Sequence, residues 1–163
     1  DVLLIHAAGN DAKDKDIEDS YPTRIAKSGT TFPNWIDVGA SSVSRKPKKI
    51  LGEFSNYGAT TVDFFAPGVD IYSTVPDGKY EDASGTSMAC PATAGVAALI
   101  RSYFPTLTAI QVKEVLMSTT TPYKKKVTVP GSKKKLKMNQ VCITGGFVNA
   151  ANAVNHILNM TGN

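Results

Sequence analysis

Short runs of apolar residues divide the first half of the chain. "VLLI" follows Asp1 without a cap or turn, and "WIDVGAS" and "VDFFAPG" are further short runs closed by glycine and proline. Such runs are typical of strands buried on both faces of a parallel sheet. "DIYSTV" and "KYEDAS" flank "PDG", a strong turn signal, and their lengths predict a hairpin.

The segment from Ser87 to Ile100 contains no charged side chain, and most of its residues are small. A helix that is apolar on every face is buried at the centre of a domain, and we expect such a helix here. Pro91 places its start close to Ser87, because proline is tolerated only where backbone N–H groups have no intrahelical acceptor.

Two further helices are predicted near the carboxyl end. Thr108 and Gln111 form a T-x-x-Q capping box, and the apolar side of that helix would comprise Ile110, Val115 and Leu116. In "GGFVNAANAVNHIL", apolar residues recur at spacings of three and four at Phe147, Ala151, Val154 and Leu158. Both helices are expected to cover the sheet, and the alternation of strands and helices predicts an α/β fold.

Composition agrees with one globular domain, since 42% of the 163 residues are hydrophobic and 20% are charged. We expect no membrane partner, because no window of 18 uninterrupted apolar residues occurs. The loop "NDAKDKDIEDSYP" is polar enough to be expected on the surface. Cys90 and Cys142 are too few and too far apart for a zinc cluster or a disulfide framework, which predicts free, buried thiols.

Seven lysines lie between Lys124 and Lys137, in "YKKKVTVPGSKKKLKMN", and they supply much of the formal charge of +4. Alternation in "KVTV" and a Pro130-Gly131 turn predict a solvated, lysine-rich β-hairpin. Nucleic-acid binding is the alternative for such a segment. We expect no nucleic-acid partner, because no aromatic residues alternate with the lysines for base stacking.

Candidate chemistry lies in "GTSMA" and "HAAGN". Ser87 would stand at the mouth of the buried helix, where N–H groups face a developing anion, and Gly85 would permit a sharp turn before it. The alternative is that Thr86 or Ser87 only caps the helix. Asn10 ends the first strand, at the sheet edge where ligand sites form, and its amide is either a turn residue or an oxyanion donor.

Six ordered segments resemble the C-terminal part of the catalytic domain of a subtilase, a subtilisin-like serine protease. They are "AAGN" (7–10), "FPNWIDVGAS" (32–41), "EFSNYG" (53–58), "VDFFAPGVDIYST" (62–74), "GTSMACPATAGVAALI" (85–100) and "GGFVNAANAV" (145–154). The resemblance implies that residues 1–163 form part of a subtilisin-like parallel sheet flanked by helices, with the lysine-rich hairpin as an insertion.

The resemblance also implies a role for each matching residue. Ser87 resembles the nucleophile that forms an acyl-enzyme with the substrate, and Asn10 together with the Ser87 N–H resembles the oxyanion hole. Substrate-binding residues, which would line the pocket for the residue before the scissile bond, are Ala8, Gly9, Ser84, Gly85 and Thr86. Cys90 and Ala92 depart from the family pattern at positions outside its catalytic triad.

Subtilases place the triad aspartate and histidine upstream of the oxyanion asparagine, so neither would lie in this chain. His6 is expected to be a hydrogen-bonded core group and His156 a helix-face residue. We therefore expect a parent serine endopeptidase and an inactive isolated chain, or alternatively a pseudoprotease or peptide-binding module on the same scaffold. The G-x-S-x-G elbow of α/β-hydrolases is disfavoured, because "GTSMA" follows the polar "KYEDAS".

The resemblance implies a protein or peptide substrate and an extracellular or cell-envelope parent with structural calcium. We assign no metal or cofactor to this chain, because no acidic cluster has the spacing of calcium ligands. If a neighbouring strand belongs to another part of the parent, Val2 to Ala7 present an unpaired apolar edge. Self-association through that edge is then expected.

Overall fold

The computed structural model describes residues 1–18, 20–43 and 50–161, and it contains a five-stranded sheet. The strands of this sheet are Leu4–Ala7 (β1), Trp35–Ser41 (β2), Phe64–Pro67 (β3), Thr121–Pro122 (β6) and Gly146–Phe147 (β9). Their order is β1-β2-β3-β9-β6. Strands β1, β2, β3 and β9 pair in parallel, and β6 pairs with β9 in the antiparallel sense.

Two antiparallel hairpins, three α-helices and two short 3-10 helices, Pro76–Gly78 and Met138–Gln140, complete the described fold. The hairpins are Ile71–Val75 (β4) with Lys79–Ala83 (β5), and Val127–Thr128 (β7) with Lys135–Leu136 (β8). The α-helices are Thr86–Tyr103 (α1), Ala109–Ser118 (α2) and Ala150–Thr161 (α3). This arrangement confirms the α/β class, since parallel strands are flanked by helices. None of the helices described has both the length and the apolarity that crossing a bilayer requires.

The sheet separates two hydrophobic clusters. Phe64 and Phe65 are consecutive in β3 and point to opposite faces, and each is completely buried. The Phe64 face packs against the three helices, and the Phe65 face packs against loops and the β7-β8 hairpin. Val127 and Val129 of that hairpin are buried, whereas its lysines are exposed. The expectation of a fully solvated hairpin is therefore wrong for its apolar side.

Helix α1 begins at Thr86, within one residue of the predicted start. The prediction that it is buried all round is wrong for the described residues, because the sheet covers only one side of it and Leu99 is 41% exposed on the other. Pro91 is the sixth residue of the helix, so it lies in the second turn rather than among the first N–H groups.

Helices α2 and α3 bury some of the predicted positions and not others. Both hydrogen bonds of the Thr108–Gln111 capping box form, and Val115 and Leu116 are buried as predicted, but Ile110 is 42% exposed and Ala109 and Val112 complete the buried face. Phe147 pairs with β3 as part of β9, so α3 begins only at Ala150. Its buried residues are consequently Ala153 and Ile157, while Ala151 is exposed.

The β4-β5 hairpin is present as predicted and leads directly into the segment before Ser87. Its turn places Asp77 at φ 64° and Gly78 at φ 67°, a conformation that suits a tight hairpin. The Gly85 N–H donates to the Gly68 carbonyl oxygen at 2.8 Å, which fixes the chain where the hairpin meets α1.

Candidate active site

The turn that carries Asn10 is joined to the start of α1. Asn10 Oδ1 accepts hydrogen bonds from the Thr86 N–H at 2.9 Å and from the Thr86 hydroxyl at 3.0 Å. Thr86 Oγ1 in turn accepts from the Gly9 N–H at 3.1 Å. The backbone N–H and the hydroxyl of Thr86 thus both bond to the turn of Gly9 and Asn10, and Thr86 is only 1% exposed.

This arrangement differs from the alternative of a helix cap by Thr86 or Ser87. The N-cap residue is Gly85, and neither Thr86 nor Ser87 caps the helix with its own side chain. Instead, the side-chain carbonyl of Asn10 accepts from the first N–H of the helix, which would otherwise lack a partner. Asn10 consequently presents its amide nitrogen in a fixed direction.

Two hydrogen-bond donors, the side-chain amide of Asn10 and the backbone N–H of Ser87, lie close to Gly85. The point that a Cβ on Gly85 would occupy lies 3.5 Å from Asn10 Nδ2 and 3.6 Å from the Ser87 nitrogen. Within the described residues, neither Asn10 Nδ2 nor the Ser87 hydroxyl has a hydrogen-bond partner, and both residues are exposed. The positive end of the α1 dipole also favours negative charge here.

Gly85 differs from its expected conformation. Its φ of 164° and ψ of 161° are extended, so the sharp turn predicted at this residue is absent. The residue with left-handed backbone is Gly9, at φ +107°, and it shapes the turn before Asn10. What matters at Gly85 is the missing side chain, because a Cβ here would lie near both donors and also 3.6 Å from Met88 Sδ.

The five predicted pocket residues fall into two groups. Ala8, Gly9, Gly85 and Thr86 lie together around the Asn10–Thr86 contact, and Ala8 is 1% exposed. Ser84 is exposed, and its hydroxyl accepts from the Asp70 N–H at 2.9 Å and donates to the Asp70 carboxylate at 3.4 Å. Its side chain therefore anchors the β4-β5 hairpin.

Neither histidine is hydrogen-bonded to Ser87. His6 Nδ1 lies 2.5 Å from Asp37 Oδ1, as expected of a hydrogen-bonded core group, and its ring lies 5.1 Å from the Trp35 ring. His156 is exposed on α3, where it borders a groove between α2 and α3.

His6 belongs to a group of ionisable side chains that we call the buried ion cluster: His6, Lys15, Arg24, Asp37 and Asp63. Asp37 is 2% exposed, and it accepts from Lys15 Nζ at 2.9 Å and from Arg24 at 3.1 Å. Arg24 also donates to Asp63 at 2.6 Å. The Trp35 indole N–H completes the contacts of Asp37 at 3.0 Å.

Burial alone would raise the pKa of Asp37. The hydrogen bond from His6 and the positive charges of Lys15 and Arg24 outweigh that effect and lower the pKa to about 2. Sequence reasoning missed this cluster, because it placed the Lys15 loop entirely on the surface, whereas the Lys15 side chain is 6% exposed. The available signal was Asp37 itself, a carboxylate in the middle of an apolar strand.

Both cysteines are free, as predicted, although Cys90 is only half-buried. Burial raises the pKa of Cys90 and raises that of Cys142 to about 11, so both remain protonated near neutral pH. In the ranges described, no three histidine, cysteine, aspartate or glutamate side chains converge closely enough to hold a metal ion.

Comparison with known proteins identifies the family. Residues 1–162 match the model of the subtilase family, peptidase S8. The chain belongs to the subtilase family. Subtilisin DY from Bacillus licheniformis is 38% identical over 121 residues, which are 74% of this chain and 40% of that protein. Subtilisin-like protease 2 from Plasmodium falciparum is 43% identical over 100 residues, 61% of this chain and 7% of that protein.

Solved subtilase structures have the same fold. A structure of the subtilase cytotoxin SubAB matches 96% of this chain and 49% of its own, with a TM-score of 0.73 and 26% identity. A cold-adapted subtilisin-like serine proteinase matches 83% of this chain and 44% of its own, with a TM-score of 0.64 and 37% identity. This subtilase chain thus spans less than half the length of each of these relatives. Its subtilisin relatives are serine endopeptidases.

Proposed function

We propose that this chain is the C-terminal half of a subtilase catalytic domain and that the parent protein is a serine endopeptidase with Ser87 as its nucleophile. One observation carries the proposal. Thr86 occupies the carbonyl end of the Asn10 side chain, so the Asn10 amide is left free beside the Ser87 N–H. Two preorganised donors next to an exposed serine suit the stabilisation of a tetrahedral oxyanion.

The reaction begins when Ser87 Oγ attacks the carbonyl carbon of the scissile peptide bond and its proton passes to a general base. The carbonyl oxygen becomes an oxyanion that accepts hydrogen bonds from Asn10 Nδ2 and the Ser87 N–H. Collapse of the intermediate breaks the C–N bond, and the departing amine takes the proton back from the base. Water then hydrolyses the Ser87 ester, which releases the acid and restores the hydroxyl.

The general base of this proposal comes from outside these 163 residues. His6 is bound to Asp37 and His156 is on α3, and neither is hydrogen-bonded to Ser87. The isolated chain should therefore show negligible proteolysis, since a nucleophile and oxyanion hole without the base retain only a small part of the catalysis.

A polypeptide substrate is proposed as the partner of the site. Ala8 and Gly9 would line one side of the pocket for the residue before the scissile bond, and the segment from Ser84 to Thr86 would line the other. We propose no nucleic-acid, membrane or cofactor role for the chain. An extracellular or cell-envelope location for the parent, with structural calcium elsewhere, follows from the family and is proposed on that ground.

A fluorophosphonate probe tests the proposal, because it reacts with a serine only when a base and an oxyanion hole activate it. We expect the parent protein to be labelled at Ser87, located by mass spectrometry of the labelled peptide. Ser87→Ala is the negative control, and the 163-residue chain should label far more slowly than the parent. A parent protein that takes no label would contradict the protease and favour the pseudoprotease or peptide-binding alternative.

We also propose that the isolated chain self-associates through β1. Among the strands that the structure describes, β1 pairs only with β2, and Val2 and Leu4 are 64% and 41% exposed. An unpaired apolar edge strand favours pairing with another copy. Light scattering of the purified chain should show a dimer or larger assembly, and a monomer with the residues from Val2 to Ile5 protected from hydrogen exchange would contradict it.

A further inference from the structure

Asn56 lies in the segment "FSNYG" between β2 and β3 and is 1% exposed. Its side chain bonds to the chain on both sides of Asn10. Asn56 Oδ1 accepts from the Asp11 N–H at 3.0 Å and from the Lys13 N–H at 2.9 Å, and Nδ2 donates to the Ala8 carbonyl oxygen at 2.9 Å. The oxygen and the nitrogen of this buried side-chain amide thus both bond to the backbone of a single turn, which contains Asn10.

The backbone of Asn56 holds the same turn. Its N–H donates to the Gly9 carbonyl oxygen at 2.8 Å. Gly9 has a φ of +107°, and a Cβ at this residue would overlap the Asn56 side chain. The glycine therefore allows both the left-handed backbone and the close approach of Asn56.

Asn56 is itself fixed to the centre of the sheet. Ser55, which is completely buried, accepts from the Ala40 N–H of β2 at 2.9 Å and donates to the Asn56 carbonyl oxygen at 2.9 Å. The Ser55 N–H donates to the Gly52 carbonyl oxygen at 3.0 Å. A continuous series of hydrogen bonds consequently joins the rigid strand β2 to the turn around Asn10.

The two ends of Asn10 are held by different residues. Thr86 binds its side-chain carbonyl, and Asn56 binds the backbone before and after it. The Asn10 side-chain amide nitrogen has no hydrogen-bond partner in the part of the chain described. Displacement of a catalytic donor by about 1 Å can reduce the rate by about a hundredfold, so the backbone position of Asn10 matters.

We propose that Asn56 is a positioning residue for the oxyanion donor Asn10. It touches no reacting atom, and it acts by holding the turn that aims the Asn10 amide. This inference rests on the proposed function, since it assumes that Asn10 serves the reaction. A residue that merely stabilises the fold would lower the free energy of unfolding without a specific effect on turnover.

A double-mutant cycle in the parent protein separates these roles. Asn56→Ala should lower kcat about ten- to a hundredfold with KM changed less than about twofold, because the transition state loses an aimed donor. In an Asn10→Ala background the same change should lower kcat less than about twofold, since the donor that Asn56 positions is already absent. Asn34→Ala is the matched control, because it also removes an asparagine side chain that bonds to a backbone carbonyl. Asn34 Nδ2 donates to the Val2 carbonyl oxygen at 2.7 Å, near the start of β1 and away from Asn10. This control variant should leave kcat unchanged.

Amide hydrogen exchange gives a readout besides activity. The Asp11 and Lys13 amides should be protected in the wild type and should exchange at least about tenfold faster in Asn56→Ala. The Ala8 amide, which bonds to the Val38 carbonyl oxygen, serves as the internal reference. If Asn56→Ala fails to fold, Asn56→Ser replaces it in the cycle, because its smaller hydroxyl side chain keeps a polar group at this buried position but cannot make all three side-chain hydrogen bonds of Asn56 to the turn.

The outcomes are distinguishable. A wild-type parent labelled at Ser87 by fluorophosphonate, combined with equal losses from Asn56→Ala in both backgrounds, would contradict the positioning role alone. An unchanged kcat in Asn56→Ala would do the same. A wild-type parent that takes no label would contradict the proposed function, and the positioning role would fall with it.

Discussion

The turn of residues 8–13, which we call the Asn10 turn, follows β1, and the buried ion cluster includes His6 of β1. The polar groups of these two regions have opposite roles. In the turn, Asn10 Nδ2 and the Ser87 hydroxyl have no partner among the described residues, and both side chains are accessible. In the cluster, His6, Lys15 and Arg24 all bind Asp37, which is buried in β2. Unpaired donors beside a helix N-terminus are available to a substrate, whereas paired buried charges hold elements of the fold together.

The comparison predicts that the two regions respond differently to substitution, and the largest effect should come from Asp37→Ala. The variant leaves the buried charges of Lys15 and Arg24 without one of their partners, so the free energy of unfolding should fall by about 3–5 kcal/mol. Chemical denaturation of the purified chain measures this loss. Glu18→Ala, which breaks the exposed pair with Lys13, is the control and should barely move the midpoint. An Asp37→Ala chain as stable as the wild type would show that the cluster does not hold the fold.

Asn10→Ala should have the converse effect. In the parent protein we expect kcat to fall about 10²–10³-fold, the loss found when the oxyanion donor is removed from subtilisin itself, with KM nearly unchanged. The free energy of unfolding should fall by only about 1 kcal/mol, because the Thr86 N–H loses its acceptor. Steady-state kinetics and denaturation on the same preparation give both numbers. A loss of stability as large as that of Asp37→Ala, with kcat retained, would reverse the assignment of the two regions.

Strand ends and helix starts have local signals, so the residues alone located Asn10 at a strand end and the start of α1 near Ser87. That the two lie together was implied only by the family resemblance. The sequence was not enough to predict which atoms meet, since the capping group of α1 comes from a residue 76 positions away. The ion cluster was missed for the same reason. Lys15 and Arg24 lie in polar loops, and their burial depends on pairing with Asp37, which no local period reveals.

The predicted buried face of α3 was wrong where one of its apolar positions belongs to the neighbouring strand β9. Phe147 fits the apolar spacing of α3, but its backbone pairs with Phe65 in the sheet, so the helix starts three residues later. The buried positions then move to Ala153 and Ile157. Periodicity alone does not say where a strand ends and the following helix begins.

Acid pH should also distinguish the two regions. The pKa of Asp37 is about 2 in the fold against an ordinary value of 3.8, so the unfolded chain binds the proton first as the pH falls. The stabilisation from Asp37 is therefore complete above about pH 4 and is lost between pH 4 and pH 2, a change of roughly 2 kcal/mol. Denaturation midpoints at several pH values measure it. Asp37→Asn should show a flatter dependence across this window, and an equal slope in both chains would contradict the prediction.

The smallest predicted effect tests the space between the two donors. Gly85→Ala fits the extended backbone at this residue, and the new methyl would lie 3.5 Å from Asn10 Nδ2 and 3.6 Å from the Ser87 nitrogen, which are ordinary contact distances. The fold should accept it, but the methyl stands where an oxyanion must approach both donors, so kcat in the parent protein should fall at least about tenfold. Gly95→Ala is the matched control, because nothing described lies within 4 Å of the added carbon, and it should keep kcat while stabilising α1 by about 0.5–1 kcal/mol. If Gly85→Ala turned over substrate as fast as Gly95→Ala, the oxyanion would have to bind somewhere other than between Asn10 and Ser87.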